Sequence, residues 1–189
     1  MTPVSPAELG HSIESYFGLV DSGILAPDDR VELLEGVVVA MAPQGPPHAA
    51  VTNMVAETLR AAIGDRGAVR VQSSLVLRPR SVPEPDVAVV PGNNADYLRA
   101  HPSSALLLVE VADSSLPQDR ITKARLYAAA GIPEFWIVNL RDEVLEVYRS
   151  PDPEAAVYRD LTVARRGERI SLVAVSRAEV AVDALLPPP

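Results

Sequence analysis

Three ionisable residues in the middle of the chain have the types and surroundings that phosphodiester hydrolysis requires. Glu110 lies inside an almost wholly apolar run, residues 105–112, where an ionised carboxylate is costly to desolvate unless a cation accompanies it. Asp86 opens a β-branched run, so two carboxylates could lie at one sheet edge and bind a divalent cation. The alternatives are a turn residue at Asp86 and a buried ion pair with an arginine at Glu110.

The third residue is Lys123, the only lysine among 17 basic residues. A compact ammonium group at a catalytic site is not interchangeable with a planar guanidinium, although one lysine could also survive by chance. Lys123 lies one helical turn after Asp119 and one before Tyr127, so an exposed Asp119–Lys123 pair is the simpler alternative. Together with the two carboxylates, however, Lys123 supplies the cation that orients a nucleophile or stabilises developing charge beside a metal ion.

Four further residues could contact a substrate. His48 precedes a predicted helix and could contact a phosphate or assist a metal site, or it could merely cap that helix. Gln72 could reach the same cleft from its strand, or it could face water. Arg78 and Arg80 lie in the loop that leads to Asp86, so we expect them, before the other arginines, to meet a nucleic-acid backbone.

Composition restricts the class of protein. With 189 residues, 48% of them hydrophobic, we expect one domain over residues 1–189, with an N-terminal helical segment over 1–25 and a frayed tail over 187–189. Cysteine is absent, which excludes thiolate zinc sites and favours hard cations such as Mg²⁺. No apolar run approaches the roughly 20 residues that cross a bilayer. We therefore expect a cytoplasmic protein without membrane contact.

Turn and cap signals predict the elements of the first half of the chain. Ser5, Pro6 and Glu8 indicate the start of a helix that reaches about Tyr16. Glu35–Gly36, flanked by residues 30–34 and 37–41, predicts a tight hairpin. Helical spacing over 48–63, closed by Gly64, predicts a long helix. Residues 68–77 and 86–90 have the β-branched composition of strands.

The second half of the chain has the pattern of a β-α-β unit. Strands are expected over 105–112 and 134–139, with a helix over 118–130 between them, so the two strands should be parallel. Residues 144–148 should form a hairpin with the second strand, and more strands are expected within 155–186. This arrangement brings the Lys123 helix close to the end of the Glu110 strand.

The ordered set of motifs resembles the Uma-two family of restriction-endonuclease-like proteins, which belongs to the PD-(D/E)XK nuclease superfamily. The resemblance spans nearly the whole chain and rests on Val31–Gly36, Pro47–His48, Glu84–Val90, Val109–Val111, Asp119–Arg120, Lys123, Tyr127, Gly131–Val138 and Val180–Leu185. It implies an α/β (α+β) restriction-endonuclease-like fold with an αβββαβ core, in which helices flank a mixed central β-sheet.

The resemblance also implies a function. Asp86 and Glu110 would bind Mg²⁺, for which Mn²⁺ could substitute, Glu32 would add a further ligand, and Lys123 would activate water. The superfamily's general motif has a lysine two residues after the glutamate, where this chain has Ala112; the family generally has the lysine on the helix instead. We therefore predict a Mg²⁺-dependent endodeoxyribonuclease acting on DNA. We also expect a homodimer, because many nucleases pair two sites to cut two strands.

Two other functions are left open by the sequence. The formal charge of −8 is unfavourable for affinity to a polyanion, because that affinity comes largely from neutralised phosphates. A non-catalytic nucleic-acid-binding or regulatory module that retains the nuclease fold is the first alternative. A small-molecule phosphohydrolase is the second.

Overall fold

The protein has a mixed α/β architecture in the computed structural model, which describes residues 10–26 and 28–188. The helices are α1 (Ile13–Asp21), α2 (Pro46–Ile63), α3 (Leu116–Gln118) and α4 (Ala124–Ala129). The strands are β1 (Val31–Leu34), β2 (Val37–Ala40), β3 (Ala68–Val71), β4 (Val87–Val90), β5 (Leu107–Ala112), β6 (Glu134–Asn139), β7 (Val144–Asp152), β8 (Val157–Ala164), β9 (Arg169–Ser171) and β10 (Glu179–Ala181). Short 3₁₀ helices cover Asn94–Tyr97 and Val182–Leu185.

Six strands form the central sheet in the order β3-β4-β5-β6-β7-β8. Every neighbouring pair is antiparallel except β5 and β6, which are parallel, with Glu110 opposite Ile137. Parallel neighbours need a crossover connection, which α3 and α4 supply. The predicted mixed central sheet flanked by helices is confirmed, as is the parallel pair.

The central strands β4, β5 and β6 are buried on both faces of the sheet, which explains why they have continuous apolar sequences. On one face, Trp136 and Val138 pack with α2 and with the C-terminal residues 172–186. On the other face, Phe135 and Ile137 pack with α4 and with Leu34 of β1. The side chain of Glu110 belongs to this second face, because it alternates with Val109 and Val111 along β5.

Two locally encoded elements agree with the sequence. β1 and β2 pair antiparallel around Glu35 and Gly36, whose φ angles of 50° and 87° are typical of a two-residue hairpin turn. The long helix α2 ends at Gly64, as predicted, but begins at Pro46, two residues before its predicted start. Within the described ranges, no helix is both long and apolar enough to span a membrane.

Two predicted boundaries differ from the structure. The strand predicted over 68–77 ends at Val71, because Gln72 has a φ of 44° and the next residues leave the ladder to bond distant loops. The predicted helix start at Ser5–Glu8 lies outside the described residues. The described part of that region begins its helix at Ile13, with Ser12 as N-cap, and continues to Asp21, well beyond Tyr16.

A buried carboxylate, that of Glu134, fixes the N-terminal end of β6. Glu134 has no exposed surface, and it accepts hydrogen bonds from Arg149, Trp136 and the backbone N–H of Val173. Buried charges are tolerated when they are paired and hydrogen-bonded in this way. Glu134 therefore ties together β6, β7 and the segment after β9.

We predict that Arg149→Met lowers the free energy of unfolding by about 3–5 kcal/mol, because it leaves the buried carboxylate of Glu134 without its cation. The matched control is Arg159→Met, which removes a largely exposed partner of Asp152 and should cause a much smaller loss of stability, because exposed ion pairs contribute little. Urea unfolding followed by circular dichroism measures both. Equal losses in the two variants would contradict the role assigned to Glu134.

Candidate active site

The pairing of β4 with β5 brings the two predicted carboxylates together. Val87 lies opposite Val109, so the next position in this antiparallel register sets Asp86 opposite Glu110. The backbone N–H of Val111 donates to Oδ2 of Asp86 at 2.9 Å. Asp86 is thereby fixed to the strand that carries Glu110, although the two residues lie 24 positions apart in sequence.

Lys123 reaches the same place from a helical turn that was predicted as ordinary α-helix. Residues Asp119–Lys123 form a π-helical turn between α3 and α4, in which the N–H of Ala124 donates to the carbonyl of Asp119. Single π-helical turns inside α-helices occur frequently at functional sites. Both Asp119 and Lys123 are buried by this turn, whereas an exposed pair had been the simpler interpretation of their spacing.

The Lys123 ammonium group lies between two carboxylates. Its Nζ is 3.1 Å from Oε2 of Glu32 and 3.1 Å from Oε1 of Glu110. All three residues are at most 4% exposed, so each charge depends on the others for compensation. The buried hydroxyl of Tyr127, one turn further along the helix, donates to the same Oε1 of Glu110 at 2.6 Å.

Asp86 is surrounded by polar groups from three other parts of the chain. Nε2 of His48, in the first turn of α2, lies 3.2 Å from Oδ2 of Asp86. The amide nitrogens of Gln44 and Gln72 each donate to Oδ1 at 3.3 Å. The positive φ of Gln72 therefore accompanies a side chain that turns toward Asp86, and neither His48 nor Gln72 merely faces water.

A cleft of about 280 Å³ opens beside these groups. Its acidic lining residues outnumber its basic ones: they are Glu32, Asp86, Glu110, Asp113 and Asp119 against Arg30 and Lys123, with His48 beside them. Such an excess of negative charge in a confined site attracts cations. Arg30 and Asp113 are exposed, and the other charged side chains of the lining are largely buried.

The electrostatic environment shifts several pKa values. Burial raises the pKa of Glu110 to about 8, with Asp86 and Asp119 adding to the rise and Lys123 opposing it. Burial likewise raises the pKa of Asp119 to about 6. Burial alone would lower the pKa of Lys123, but the surrounding carboxylates outweigh it and raise that pKa, so the ammonium group stays charged.

His48 responds to its carboxylate neighbour. Burial would lower the pKa of the imidazole, but the hydrogen bond and the charge of Asp86 outweigh that effect and raise the pKa above its ordinary value. A protonated His48 would offer a positive charge beside Asp86. The positively charged imidazole of His48 could bind a phosphate group at this point of the cleft.

The donor chemistry of the site fits a hard divalent cation. Glu32, Asp86 and Glu110 offer carboxylate oxygens, which Mg²⁺ and Mn²⁺ prefer. Among the described residues no hydrogen bond reaches Oε1 of Glu32 or Oε2 of Glu110. Within residues 10–26 and 28–188, however, no three acidic or histidine side chains already form a metal-binding group.

The structure brings most of the predicted site residues to this cleft, but not Arg78 and Arg80. The highly exposed guanidinium of Arg78 lies 3.8 Å from Glu14 of α1, and the Nε of Arg80 donates to the carbonyl of His11. Their loop turns back on the β1–β2 hairpin, where Gly36 donates to the carbonyl of Arg80. Neither arginine is among the residues that line the cleft, so the cleft geometry does not support their expected contact with a nucleic-acid backbone, which stays a prediction.

Several residues of the cleft were not predicted as site residues from the sequence, among them Arg30, Gln44 and Asp119. Among the described residues, Arg30 is the arginine that lines the cleft, yet in sequence it is only the first residue of a predicted hairpin strand. Gln44 lies in a proline-rich break, which carries no signal for a contact with Asp86. Asp119 was noticed as part of a helical stripe and of the motif Asp119–Arg120, but not as a site residue, although its spacing of four residues from Lys123 was the available clue.

Comparison with known proteins assigns the family. The family model Uma2, described as "Putative restriction endonuclease", matches residues 14–183. The chain belongs to the Uma2 family. No functionally curated protein matches the sequence. The family assignment agrees with the resemblance drawn from the motifs, and it makes the chain a member of a restriction-endonuclease-like nuclease family.

A solved structure supports the fold of this Uma2 member. It is the structure titled "Crystal structure of a putative nuclease belonging to DUF820 from Anabaena variabilis", with a TM-score of 0.72 and 15% sequence identity. The similarity covers 93% of this chain and 97% of the other. At that identity the comparison concerns the fold alone.

We predict that Lys123→Met lowers the free energy of unfolding of the metal-free protein by about 3–5 kcal/mol, because Glu32 and Glu110 lose their shared cation. Arg125→Met is the control: Arg125 is on α4, and its half-exposed partner is Glu35, so the loss should stay below about 1 kcal/mol. Urea unfolding in the presence of EDTA measures both. A Lys123→Met protein as stable as the control would contradict the buried ion arrangement.

Asp119 should make stability depend on pH. Its pKa is raised in the folded protein from 3.8 to about 6, so the folded state retains the proton longer than the unfolded state does. The contribution of Asp119 to the stability of the metal-free wild type should therefore fall as the pH rises across that interval. Asp119→Asn should lack this pH-dependent contribution. The stability of the wild type relative to Asp119→Asn should therefore decrease as the pH rises from about 4 to about 6. A constant difference between them would show that Asp119 is not perturbed.

Proposed function

We propose that the protein is a divalent-metal-dependent endonuclease that hydrolyses phosphodiester bonds of DNA. The observation that carries the proposal is the position of Lys123, whose Nζ lies 3.1 Å from Glu110 on the strand to which Asp86 is hydrogen-bonded. Membership in the Uma2 family supports the nuclease class. Mg²⁺, or Mn²⁺ in its place, is the cofactor that we propose.

Each residue then has a task in hydrolysis. Asp86 and Glu110, with Glu32 as a further ligand, would hold the cation, which when bound supplies charge to polarise the phosphate and lower the pKa of a water molecule. The ammonium group of Lys123 has three donors and uses two of them on Glu32 and Glu110. The third can orient the attacking water or stabilise charge on a phosphate oxygen.

Residues around the cation site would bind the substrate. His48 lies beside Asp86 and Arg30 lines the cleft, so both can contact backbone phosphates. Gln72 acts through Asp86, whose Oδ1 it contacts, and we propose it as a positioning residue. A chain with one such site cuts both strands of a duplex most directly as a homodimer.

We predict that the wild type nicks supercoiled plasmid in the presence of Mg²⁺ or Mn²⁺ and that EDTA abolishes the nicking. Lys123→Ala and Glu110→Ala should each reduce the rate by roughly 100-fold or more, the range found when one group that stabilises the transition state is removed. Arg125→Ala lies on the same helical segment but outside the cleft lining, and it should retain the wild-type rate. Agarose gels of the plasmid forms, sampled over time, provide the measurement.

The alternative is a non-catalytic nucleic-acid-binding or regulatory module that retains the nuclease fold. It is favoured by Ala112, which stands where the superfamily's general motif has a lysine, because a chain without that lysine can keep the fold without the activity. DNA binding by the wild type without nicking in either metal would favour that module. Hydrolysis of small phosphate esters alone would favour a small-molecule phosphohydrolase. Either result would overturn the endonuclease proposal.

A further inference from the structure

The strand β8 is an edge of the central sheet that is suited to pairing. Among the described residues only β7 pairs with it, so its outer side presents a row of backbone donors and acceptors. Natural proteins usually blunt such an edge with proline, several charges or a short strand. β8 spans Val157–Ala164, contains no proline and carries only two charges, whereas the opposite edge strand, β3, spans only Ala68–Val71.

Apolar side chains are exposed along this edge. Val157, Leu161 and Val163 are 48%, 55% and 46% exposed, and Leu161 and Val163, which are two residues apart, share one face of the strand. Leu161 lies opposite Tyr148 of β7, on the face of the sheet that α4 covers. A long edge strand with exposed apolar residues is a site for strand-to-strand association.

We propose that β8 pairs antiparallel with β8 of a second copy of this chain about a two-fold axis, which joins the two central sheets into one. The distribution of charge favours a second copy of the chain as the partner at this edge. The chain has a formal charge of −8, so two copies repel each other over most of their surfaces. The β8 segment is neutral, because Arg159 offsets Asp160, and two copies can approach there with little repulsion.

The charges of β8 also select the register. In an antiparallel pair about a two-fold axis, opposing side chains share a face, so one residue lies on the axis opposite its own copy. Arg159 or Asp160 on the axis would bring like charges together, which is destabilising. Thr162 on the axis would leave a shorter ladder. Leu161 on the axis pairs residues 158–164 and packs leucine against leucine, so the geometry points to Leu161.

This pairing leaves the cleft open in both copies. β8 lies three strands away from β5 in the sheet order, which at the usual strand spacing is roughly 14 Å. The two-fold axis is perpendicular to the sheet, so the helix-covered faces of both copies lie on the same side. The pairing is independent of the proposed nuclease activity, since none of the proposed site residues belongs to β8.

Sedimentation of the full chain tests the pairing. The wild type should sediment as a dimer of the 20.2 kDa chain at concentrations from about 10 to 200 µM, the affinity range expected for an interface of small area. Leu161→Arg and Leu161→Glu should each weaken the dimer at least tenfold, because each brings like charges together at the axis. An equimolar mixture of the two variants should dimerise again, since opposite charges then face each other.

Leu98→Arg is the matched control, because Leu98 is 83% exposed but does not belong to β8. Leu98 follows the 3₁₀ helix after β4, and β4 lies four strands from β8 in the sheet order. This variant should remain dimeric. A wild type that stays monomeric at the highest concentration would overturn the proposal. Dimers that survive both Leu161 variants would also overturn it, and so would a mixture that fails to dimerise. Circular dichroism of each variant verifies that it is folded, and recovery in the mixture excludes misfolding as the cause of dissociation.

Discussion

The buried ammonium group of Lys123 is the constraint on which the rest of the site depends. It lies between Glu32 of β1 and Glu110 of β5, and an unpaired charge at that depth would be strongly destabilising. The hairpin, the central sheet and the helical segment after β5 must therefore meet at one point. The position of the ammonium group in the cleft therefore depends on the packing of these three elements.

The π-helical turn is the backbone feature that accommodates this constraint. It spans Asp119–Lys123 and buries the charged side chains at both of its ends in the middle of a helical segment. On its outer side, Arg120 forms two hydrogen bonds with the buried Glu146 of β7. The turn is thus held from the cleft and from the sheet, so a change in either would move Lys123.

The excess of carboxylates in the cleft indicates that this region binds a ligand and does not mainly stabilise the fold. The pKa values of Glu110 and Asp119 are raised to about 8 and about 6, mainly because burial disfavours their charged forms. A core selected for stability alone would hold apolar side chains here. Perturbed carboxylates in a cleft are typical of functional sites. The proposed cation would offset their buried negative charge.

The chemistry and the local elements could be read from the sequence, because both are encoded over short distances. Glu110 inside an apolar strand, a single lysine and the Glu35–Gly36 turn each carry their signal within a few residues. Tertiary structure alone decided what depends on distant contacts. Gln72 leaves its strand and turns toward Asp86, Arg78 and Arg80 fold back on the hairpin, and Glu32 meets Lys123 across 91 positions of sequence. The direction of such side chains follows from packing between elements, which no local pattern specifies.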